Sequence, residues 1–235
     1  MYILEGNIGA GKSTFLKLIN QKLPAIEVAY EPLANWQSQH QGQSLLTHFY
    51  QDPARWAYTM ETLTMMCRVR EHRIEQQHTN PYRLVERSIY SGHYCFAKNG
   101  HEQGFMTDIE WKIYHEWFNM LIPQKCLPPL GFIYLRVDPK VSFTRIAKRS
   151  RAGESSISLG YLEQIDRRHQ DFLIHKIDVL PELAQVPVLV LDCNQEFEEN
   201  PKKFDEHLAR VWEFMKQTRF EHKERIQASS LMVSE

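Results

Sequence analysis

Nine residues near the start of the chain have the composition and spacing of a phosphate-binding loop. Residues 6–14 are GNIGAGKST, which contains the pattern GxxxxGK(S/T) between an apolar run at 2–4 and an apolar pattern typical of a helix at 15–19. Glycines let successive N–H groups converge on phosphate, the helix dipole adds to anion binding, and the lysine and serine reach phosphate and Mg²⁺. The simpler alternative is a glycine-rich turn before a helix. We expect a nucleoside triphosphate to contact Gly6, Asn7, Gly9, Ala10, Gly11, Lys12, Ser13 and Thr14.

Charged residues stand at the ends of two further predicted strands. Glu31 ends the second strand, where Pro32 keeps its backbone extended, and Glu86 and Arg87 close the third. Ligands of open α/β sheets bind at the carboxyl ends of the strands. Glu31 could there take a proton from an attacking hydroxyl, while Glu86 could bind Mg²⁺ and Arg87 could bind phosphate. A helix cap or surface ion pair for Glu31, and a strand-end ion pair for Glu86 with Arg87, are the alternatives.

Basic residues cluster where a predicted helix meets a segment rich in glycine and serine at 153–156. The chain as a whole has no net positive charge, so this local concentration favours a lid that closes over phosphates. A solvated basic helix face is the alternative. The cluster consists of Arg145, Lys148, Arg149 and Arg151.

A long helix is predicted from Pro53 to about Gln77, because this stretch has no internal proline or glycine. Glu61, Thr64 and Arg68 fall on one face of it. Glu61 and Arg68 are two turns apart, about 10 Å along the axis, so a flat heterocycle could lie between their polar ends. A surface pair of Arg68 with Glu71 is the alternative.

Five strand candidates alternate with helical stretches, which predicts an α/β fold with a parallel sheet covered by helices. Two helix starts are marked by Thr107 with Glu110, a capping-box pattern, and by Asp138 before Pro139. The predicted strands are Tyr2–Glu5, Ile26–Glu31, Arg83–Glu86, Gly131–Val137 and Pro187–Leu191.

Composition limits the classes of function. The chain has 235 residues and a formal net charge of −1, which argues against a broad nucleic-acid or anionic membrane surface. Its four cysteines are scattered without metal-ligand spacing, so a reducing compartment fits best. Since no apolar run is long enough to span a bilayer and no targeting peptide precedes the first strand, we expect a cytoplasmic protein, with a processed precursor left open.

The motifs together resemble those of the deoxyribonucleoside kinases of the deoxycytidine/deoxyguanosine kinase and insect deoxynucleoside kinase type. They follow the family's order from GNIGAGKST through EPLANW at 31–36, FYQDPARWAY at 49–58 and ERSIYSGHYCF at 86–96 to LDCNQEF at 191–197, with the arginine lid at 145–154. The resemblance runs to about Phe214. It implies a P-loop kinase fold with a five-stranded parallel sheet, helices on both faces and an arginine-bearing lid. We expect one domain at 1–220 and a polar tail at 221–235.

The resemblance also implies roles for matching residues. Glu31 would be the general base on the nucleoside 5′-hydroxyl, assisted by Arg87 and Lys12, while Ser13 and Glu86 would hold Mg²⁺. Tyr50 and Glu154 would bind the 3′-hydroxyl. The nucleoside would contact Glu31, Trp36, Tyr50, Met60, Glu61, Arg68, Arg87, Gly92, Phe96 and Glu154. The ATP donor would contact the phosphate loop, Arg145, Arg149, Arg151, Glu196 and Phe197.

Two positions depart from the family's usual pattern and bear on base preference. Glu61 stands where these enzymes usually carry glutamine, and Gly92-His93 stands where many carry Asp-Arg or Ala-Arg. An ionised carboxylate only accepts hydrogen bonds, so it suits the two adjacent N–H donors of guanine, while Arg68 suits O6 and N7. We therefore expect a preference for deoxyguanosine, with thymidine second.

The resulting expectation is an ATP- and Mg²⁺-dependent deoxyribonucleoside 5′-kinase of nucleotide salvage. The resemblance further implies a homodimer through a helical bundle and feedback inhibition by a deoxynucleoside triphosphate. One alternative is a nucleoside-monophosphate kinase of the thymidylate kinase sort. That class would be expected to carry Asp-Arg at the strand end where this chain has Glu86-Arg87. The other alternative is an inactive kinase-like structural subunit, in which the catalytic set tends to decay.

Overall fold

The structure is a computed structural model that describes residues 1–32, 44–149, 151, 154–197 and 200–232. Trp36, which the resemblance places in the nucleoside site, lies outside the described residues, as do positions 150, 152 and 153 of the predicted lid.

The sheet has five strands, all parallel, in the order β2-β3-β1-β4-β5. This confirms the predicted α/β class and the predicted number and direction of the strands. The second strand was predicted to reach Glu31 but ends two residues earlier, because it lies at the edge of the described sheet and its partner there, β3, ends at Glu86. The strands are β1 (Tyr2–Glu5), β2 (Glu27–Ala29), β3 (Arg83–Glu86), β4 (Gly131–Arg136) and β5 (Val188–Asp192).

Ten α-helices connect or flank the strands within the described residues. Two π-helical segments, Gly92–Ala97 and Asp171–His175, and a short 3₁₀ turn, Glu154–Ser156, lie among them. The α-helices are α1 (Lys12–Lys22), α2 (Leu45–Gln51), α3 (Pro53–Glu75), α4 (Ile89–Ser91), α5 (Lys98–Glu102), α6 (Asp108–Lys125), α7 (Pro139–Arg149), α8 (Leu159–Gln170), α9 (Pro181–Ala184) and α10 (Pro201–Met232).

The predicted helix starts are confirmed by their capping hydrogen bonds. The backbone N–H of Glu110 donates to Thr107 Oγ1 at 3.3 Å, and the Glu110 carboxylate accepts from the Thr107 N–H at 2.8 Å. Helix α7 begins at Pro139, and Asp138 Oδ1 accepts from the N–H of Lys140 at 2.8 Å. Each bond satisfies a helix-terminal donor that has no partner within its own helix.

Apolar side chains cover both faces of the sheet. Alternate residues of a strand point to opposite faces, so Ile3 packs into one cluster with α3 and α6, and Leu4 packs into another with α1 and α10. The predicted helices on both faces are thus confirmed. Within the described residues, no helix is both long and apolar enough to cross a bilayer.

Helix α10 extends into the segment predicted as a polar tail. It begins at Pro201 and runs to Met232, so most of 221–235 is helical. The exposed residues from 222 to 228 are polar or charged apart from Ile226 and Ala228, so little apolar surface anchors this end.

Candidate active site

The phosphate loop connects β1 to α1 and depends on glycine at two positions. Gly9 and Gly11 have φ values of +79° and +87°, in the left-handed region that other residues rarely adopt. A Cβ atom on Gly9 would lie 2.6 Å from the carbonyl oxygen of Ser142, so no larger residue fits. The side chain of Asn7 donates to the Leu162 carbonyl at 2.8 Å, which ties the loop to α8.

Strand order explains how the charged strand ends come together. Because β3 lies between β1 and β2, Glu86 at its end lies between the phosphate loop and Glu31. Ser13 Oγ donates to Glu86 Oε1 at 2.9 Å, and the Glu31 N–H donates to Glu86 Oε2 at 3.4 Å. Hydroxyl and carboxylate oxygens are the donors that Mg²⁺ prefers, and Mg²⁺ usually takes only one or two carboxylates beside the substrate phosphates. The donor set of Ser13 and Glu86 fits such an ion.

Glu31 is held between two arginines. Arg68 Nη2 donates to Glu31 Oε1, and Arg87 Nε lies 3.5 Å from Glu31 Oε2. Burial raises the pKa of Glu31, but the positive charges of Arg68, Arg87 and Lys12 outweigh it and lower the pKa to about 2. The pairing is largely shielded from solvent, since both arginines are buried, so the surface ion pair considered for Glu31 is wrong. The surface pair of Arg68 with Glu71 is also wrong, because Glu71 pairs with Arg70.

Arg87 has an unusual backbone that aims its side chain at the site. Its φ is +62°, and its N–H donates to the Leu4 carbonyl at 2.9 Å, which continues the β1–β3 pairing by one residue. The guanidinium lies 4.8 Å from the centre of the Phe96 ring. Strained backbones of this kind cluster at functional sites.

Glu5 supports this arrangement and was missed by the sequence analysis. Ser88 Oγ donates to Glu5 Oε1 at 2.5 Å and accepts from the Ser91 N–H at 3.1 Å, so the segment after Arg87 is held on both sides. Glu5 is fully buried, and burial raises the pKa of its carboxyl group. The available signal was a carboxylate within an apolar strand, directly before Gly6.

One cavity of about 290 Å³ joins the phosphate loop to the predicted nucleoside residues. Its lining includes residues of helix α2, helix α3 and the π-helical segment 92–97, and the predicted lid forms part of its wall. Four lining residues were not assigned to the site from the sequence: Ile8, Leu46, Phe49 and Tyr161. The predicted nucleoside residues that line it are Glu31, Tyr50, Met60, Glu61, Arg68, Arg87, Gly92, Phe96 and Glu154.

Glu61 differs from the sequence-based expectation in its charge. The expected preference for guanine requires an ionised carboxylate at this position. In the structure, burial raises the pKa of Glu61 to about 8, only partly offset by the positive charge of Arg68. The neutral carboxyl therefore predominates at pH 7, and it both donates and accepts hydrogen bonds, as a glutamine does.

The arginines of the predicted lid fall into two groups. Arg149 makes two parallel hydrogen bonds to Glu154, of 2.8 and 2.7 Å, and Arg151 lies 3.5 Å from the same carboxylate. Arg149, Arg151 and Glu154 all line the cavity. Arg145 instead donates to Glu196 at 3.0 Å.

Phe197 connects this second group to the phosphate loop. Its ring centre lies 5.3 Å from that of Phe15, and a Cβ atom on Gly11 would lie 3.1 Å from the Phe197 ring. Arg145, Glu196 and Phe197 do not line the cavity. They are therefore near the loop but apart from the nucleoside residues.

Comparison with known proteins identifies the family of this chain. The sequence model of the deoxynucleoside kinase family matches residues 2–216. Deoxycytidine kinase 2 of Gallus gallus is 36% identical, over 87% of this chain and 86% of its own length. Human deoxycytidine kinase is 33% identical, over 90% and 89%, and the mitochondrial deoxyguanosine kinase of Xenopus laevis is 34% identical, over 90% and 88%. The resemblance inferred from the motifs is confirmed, and the chain belongs to the deoxynucleoside kinase family, whose members are phosphotransferases.

Proposed function

We propose that this chain transfers the γ-phosphoryl group of ATP to the 5′-hydroxyl of a deoxynucleoside, in nucleotide salvage. The observation that carries the proposal is the placement of Glu31 and Arg87 in one cavity with Lys12 and the phosphate loop. A proton acceptor, a phosphate clamp and a phosphate-binding lysine are the parts that phosphoryl transfer requires. Membership of the family supports the same reaction.

Each residue has a defined part in the transfer. Glu31 takes the proton of the 5′-hydroxyl, the hydroxyl oxygen forms a bond to the γ-phosphorus, and the β–γ bridging oxygen leaves with ADP. Lys12 and Arg87 neutralise the charge that spreads over the moving phosphoryl oxygens. Ser13 and Glu86 would hold Mg²⁺, which when bound neutralises phosphate charge. Reaction in one enclosed site adds the advantage of fixed proximity.

The remaining site residues would bind the two substrates. Tyr50 and Glu154 would take the 3′-hydroxyl, and Arg149 and Arg151 would contact phosphate. Glu154 pairs directly with Arg149, so a residue that would bind the sugar is joined by an ion pair to a residue that would bind phosphate. Met60, Phe96 and Gly92 would surround the base, together with Trp36, and Arg145, Glu196 and Phe197 would lie near the donor adenine.

Base preference depends on the protonation state of Glu61. The ionised form suits the adjacent N1–H and N2 amino donors of guanine, with Arg68 at O6 and N7, so we propose deoxyguanosine as the preferred acceptor when Glu61 is ionised. Thymidine is second, because its N3–H satisfies one oxygen. The neutral form, favoured by burial, can also pair with cytosine or adenine.

We propose a homodimer in which two copies of the chain pack together through the outer faces of α3 and α6. These helices pack side by side, and Trp117 and Ile109 of α6 are 46% and 73% exposed. Adjacent exposed apolar side chains of this size are typical of interaction surfaces. The other exposed apolar residues of the two helices are Met66, Ile74, Ile113 and Met120.

The test of the proposed reaction is direct. Purified protein is incubated with ATP, Mg²⁺ and each of the four deoxynucleosides, and product is separated by ion-exchange chromatography. Thymidine monophosphate serves as a competing acceptor. We expect deoxynucleoside 5′-monophosphates to form and thymidine monophosphate to remain unchanged. Phosphorylation of the monophosphate alone, or of no acceptor, would overturn the proposal.

A further inference from the structure

Arg68 contacts the proposed general base directly. Its Nη2 donates to Glu31 Oε1, while Arg87 Nε lies 3.5 Å from Oε2, so each carboxylate oxygen faces a guanidinium group. Opposite charges at this range stabilise the ionised carboxylate and make it a weaker proton acceptor. Removal of one of the two contacts would therefore make Glu31 a stronger base and leave one oxygen open to the 5′-hydroxyl.

The two arginines differ in the part of the fold that carries them. Arg87 follows β3 directly, its backbone is bonded to Leu4, and its guanidinium lies over the Phe96 ring. Arg68 projects from the middle of α3, on the helix face that carries Glu61 and lines the cavity. Arg68 is thus the arginine that a bound base can reach.

Gly92 leaves space beside the Arg68 side chain. A Cβ atom built on Gly92 would lie 3.6 Å from Arg68 Cδ and 3.8 Å from Nε, ordinary contact distances. With glycine at this position, no side chain from 92 holds Arg68 in place. A base that binds on this side therefore contacts the Arg68 guanidinium, which in the structure donates a hydrogen bond to Glu31.

We propose that Arg68 couples recognition of the nucleobase to activation of Glu31. A base that accepts a hydrogen bond from Arg68, as guanine can with O6 or N7, draws the guanidinium from Glu31, and the freed Oε1 takes the proton of the 5′-hydroxyl. The inference rests on the proposed function and makes Arg68 a positioning residue for the reaction. Substrates are then selected by the activation of Glu31 as well as by binding.

A sugar without a base separates coupling from simple binding. With 1,2-dideoxy-D-ribofuranose, which retains the 3′- and 5′-hydroxyls, nothing draws Arg68 from Glu31, so the arginine hinders the reaction. Removal of Arg68 should then accelerate this substrate while it slows a complete deoxynucleoside. A residue that only binds the base would leave the base-free sugar unaffected, and a residue needed only for folding would slow both.

The experiment compares kcat/KM for this sugar and for the best deoxynucleoside in wild type, Arg68→Met and Arg55→Met. Arg55 is an exposed arginine in the first turn of the same helix and serves as the control. We expect Arg68→Met to raise kcat/KM for the base-free sugar by roughly threefold to tenfold, the effect of releasing one partly buried ion pair, and to lower it for the deoxynucleoside. Arg55→Met should change neither value.

A second variant keeps the arginine. Gly92→Asp places a carboxylate beside Arg68, which should draw the guanidinium from Glu31 and also raise kcat/KM for the base-free sugar. If wild type phosphorylates deoxynucleosides but neither variant accelerates the base-free sugar, the coupling is wrong and the proposed function stands. If wild type phosphorylates no deoxynucleoside, the proposed function is wrong and the coupling with it.

Discussion

Lys12 and Asn7 are joined by a hydrogen bond inside the phosphate loop: the ammonium Nζ donates to the Asn7 carbonyl oxygen at 2.9 Å, and also to that of Gly6 at 3.0 Å. The lysine is only 6% exposed, and its burial, with the positive charge of Arg87 as the second cause, lowers its pKa to about 7. The loop thus holds the Lys12 amino group in a fixed position before phosphate binds, and the negative charge of a bound phosphate would favour its protonated form. Catalysis by charge stabilisation depends on such preorganised groups.

Lys12→Ala is therefore expected to lower kcat by roughly 10²–10³-fold or more, by analogy with the loss of one preorganised donor from an oxyanion site. Initial rates at saturating ATP and nucleoside measure this, and a thermal melt checks that the fold is retained. Lys17→Ala, at an exposed position of the same helix, is the control. Near-normal turnover by Lys12→Ala would contradict the assignment of the phosphate loop.

Glu31→Gln tests the general base. Glutamine keeps the shape of the side chain and an acceptor for Arg68, but it cannot take the proton, so kcat should fall by about 10²–10⁴-fold while KM for the nucleoside stays close to wild type. Steady-state kinetics with the preferred deoxynucleoside give both values. An increase of KM alone would mean that Glu31 binds substrate and that another group accepts the proton.

The raised pKa of Glu61 predicts a base preference that changes with pH. A pKa of about 8 means that the carboxyl group loses its proton as pH rises through this value. In the proposed binding mode, guanine pairs with the ionised form. The ratio of kcat/KM for deoxyguanosine to that for deoxycytidine should therefore rise from about pH 6 to about pH 8.5. A ratio of two acceptors cancels effects of pH on ATP and Mg²⁺.

Glu61→Gln is the matched control for this pH dependence. Glutamine has no proton to lose in this range, so its ratio of the two kcat/KM values should be flat with pH and lower for deoxyguanosine at the alkaline end. If wild type and the glutamine variant show the same ranking and the same pH profile, Glu61 does not contact the base.

Feedback inhibition is expected from the shape of the site. One cavity includes both the proposed base-binding residues and Lys12, so a deoxynucleoside triphosphate could place its sugar and base in the acceptor site and its phosphates in the loop. The triphosphate of the preferred base should inhibit competitively with the nucleoside and more strongly than the other three. Equal inhibition by all four triphosphates would contradict this binding mode.

The homodimer proposal predicts that a charge on α6 dissociates the protein. Trp117→Glu would place a carboxylate within the exposed apolar surface of α3 and α6, so sedimentation velocity should show a monomer where wild type shows a dimer. Ile174→Glu, at a similarly exposed apolar residue outside both helices, should leave the dimer intact. A wild-type monomer would show that the surface does not pair two copies.

The parts that the sequence could predict are those in which neighbouring residues determine the outcome. The phosphate loop is one contiguous segment, and its glycines, lysine and serine act through backbone geometry that nine residues specify. The same holds for the cap of α6, where Thr107 and Glu110 satisfy each other's backbone donors within three residues. Alternation of apolar runs with helical stretches was sufficient for the five parallel strands.

The parts that only the tertiary structure decided are those that depend on distance in space and on burial. Arg68 had a carboxylate three residues away in Glu71, yet it pairs with Glu31, 37 positions distant, because the fold brings the middle of α3 beside the segment that follows β2. Glu5 supports the segment after Arg87 only because β1 and β3 are neighbours in the sheet. Glu61 was expected to be charged from its residue type, but its protonation state follows from the cost of placing a carboxylate out of contact with water, which a sequence does not contain.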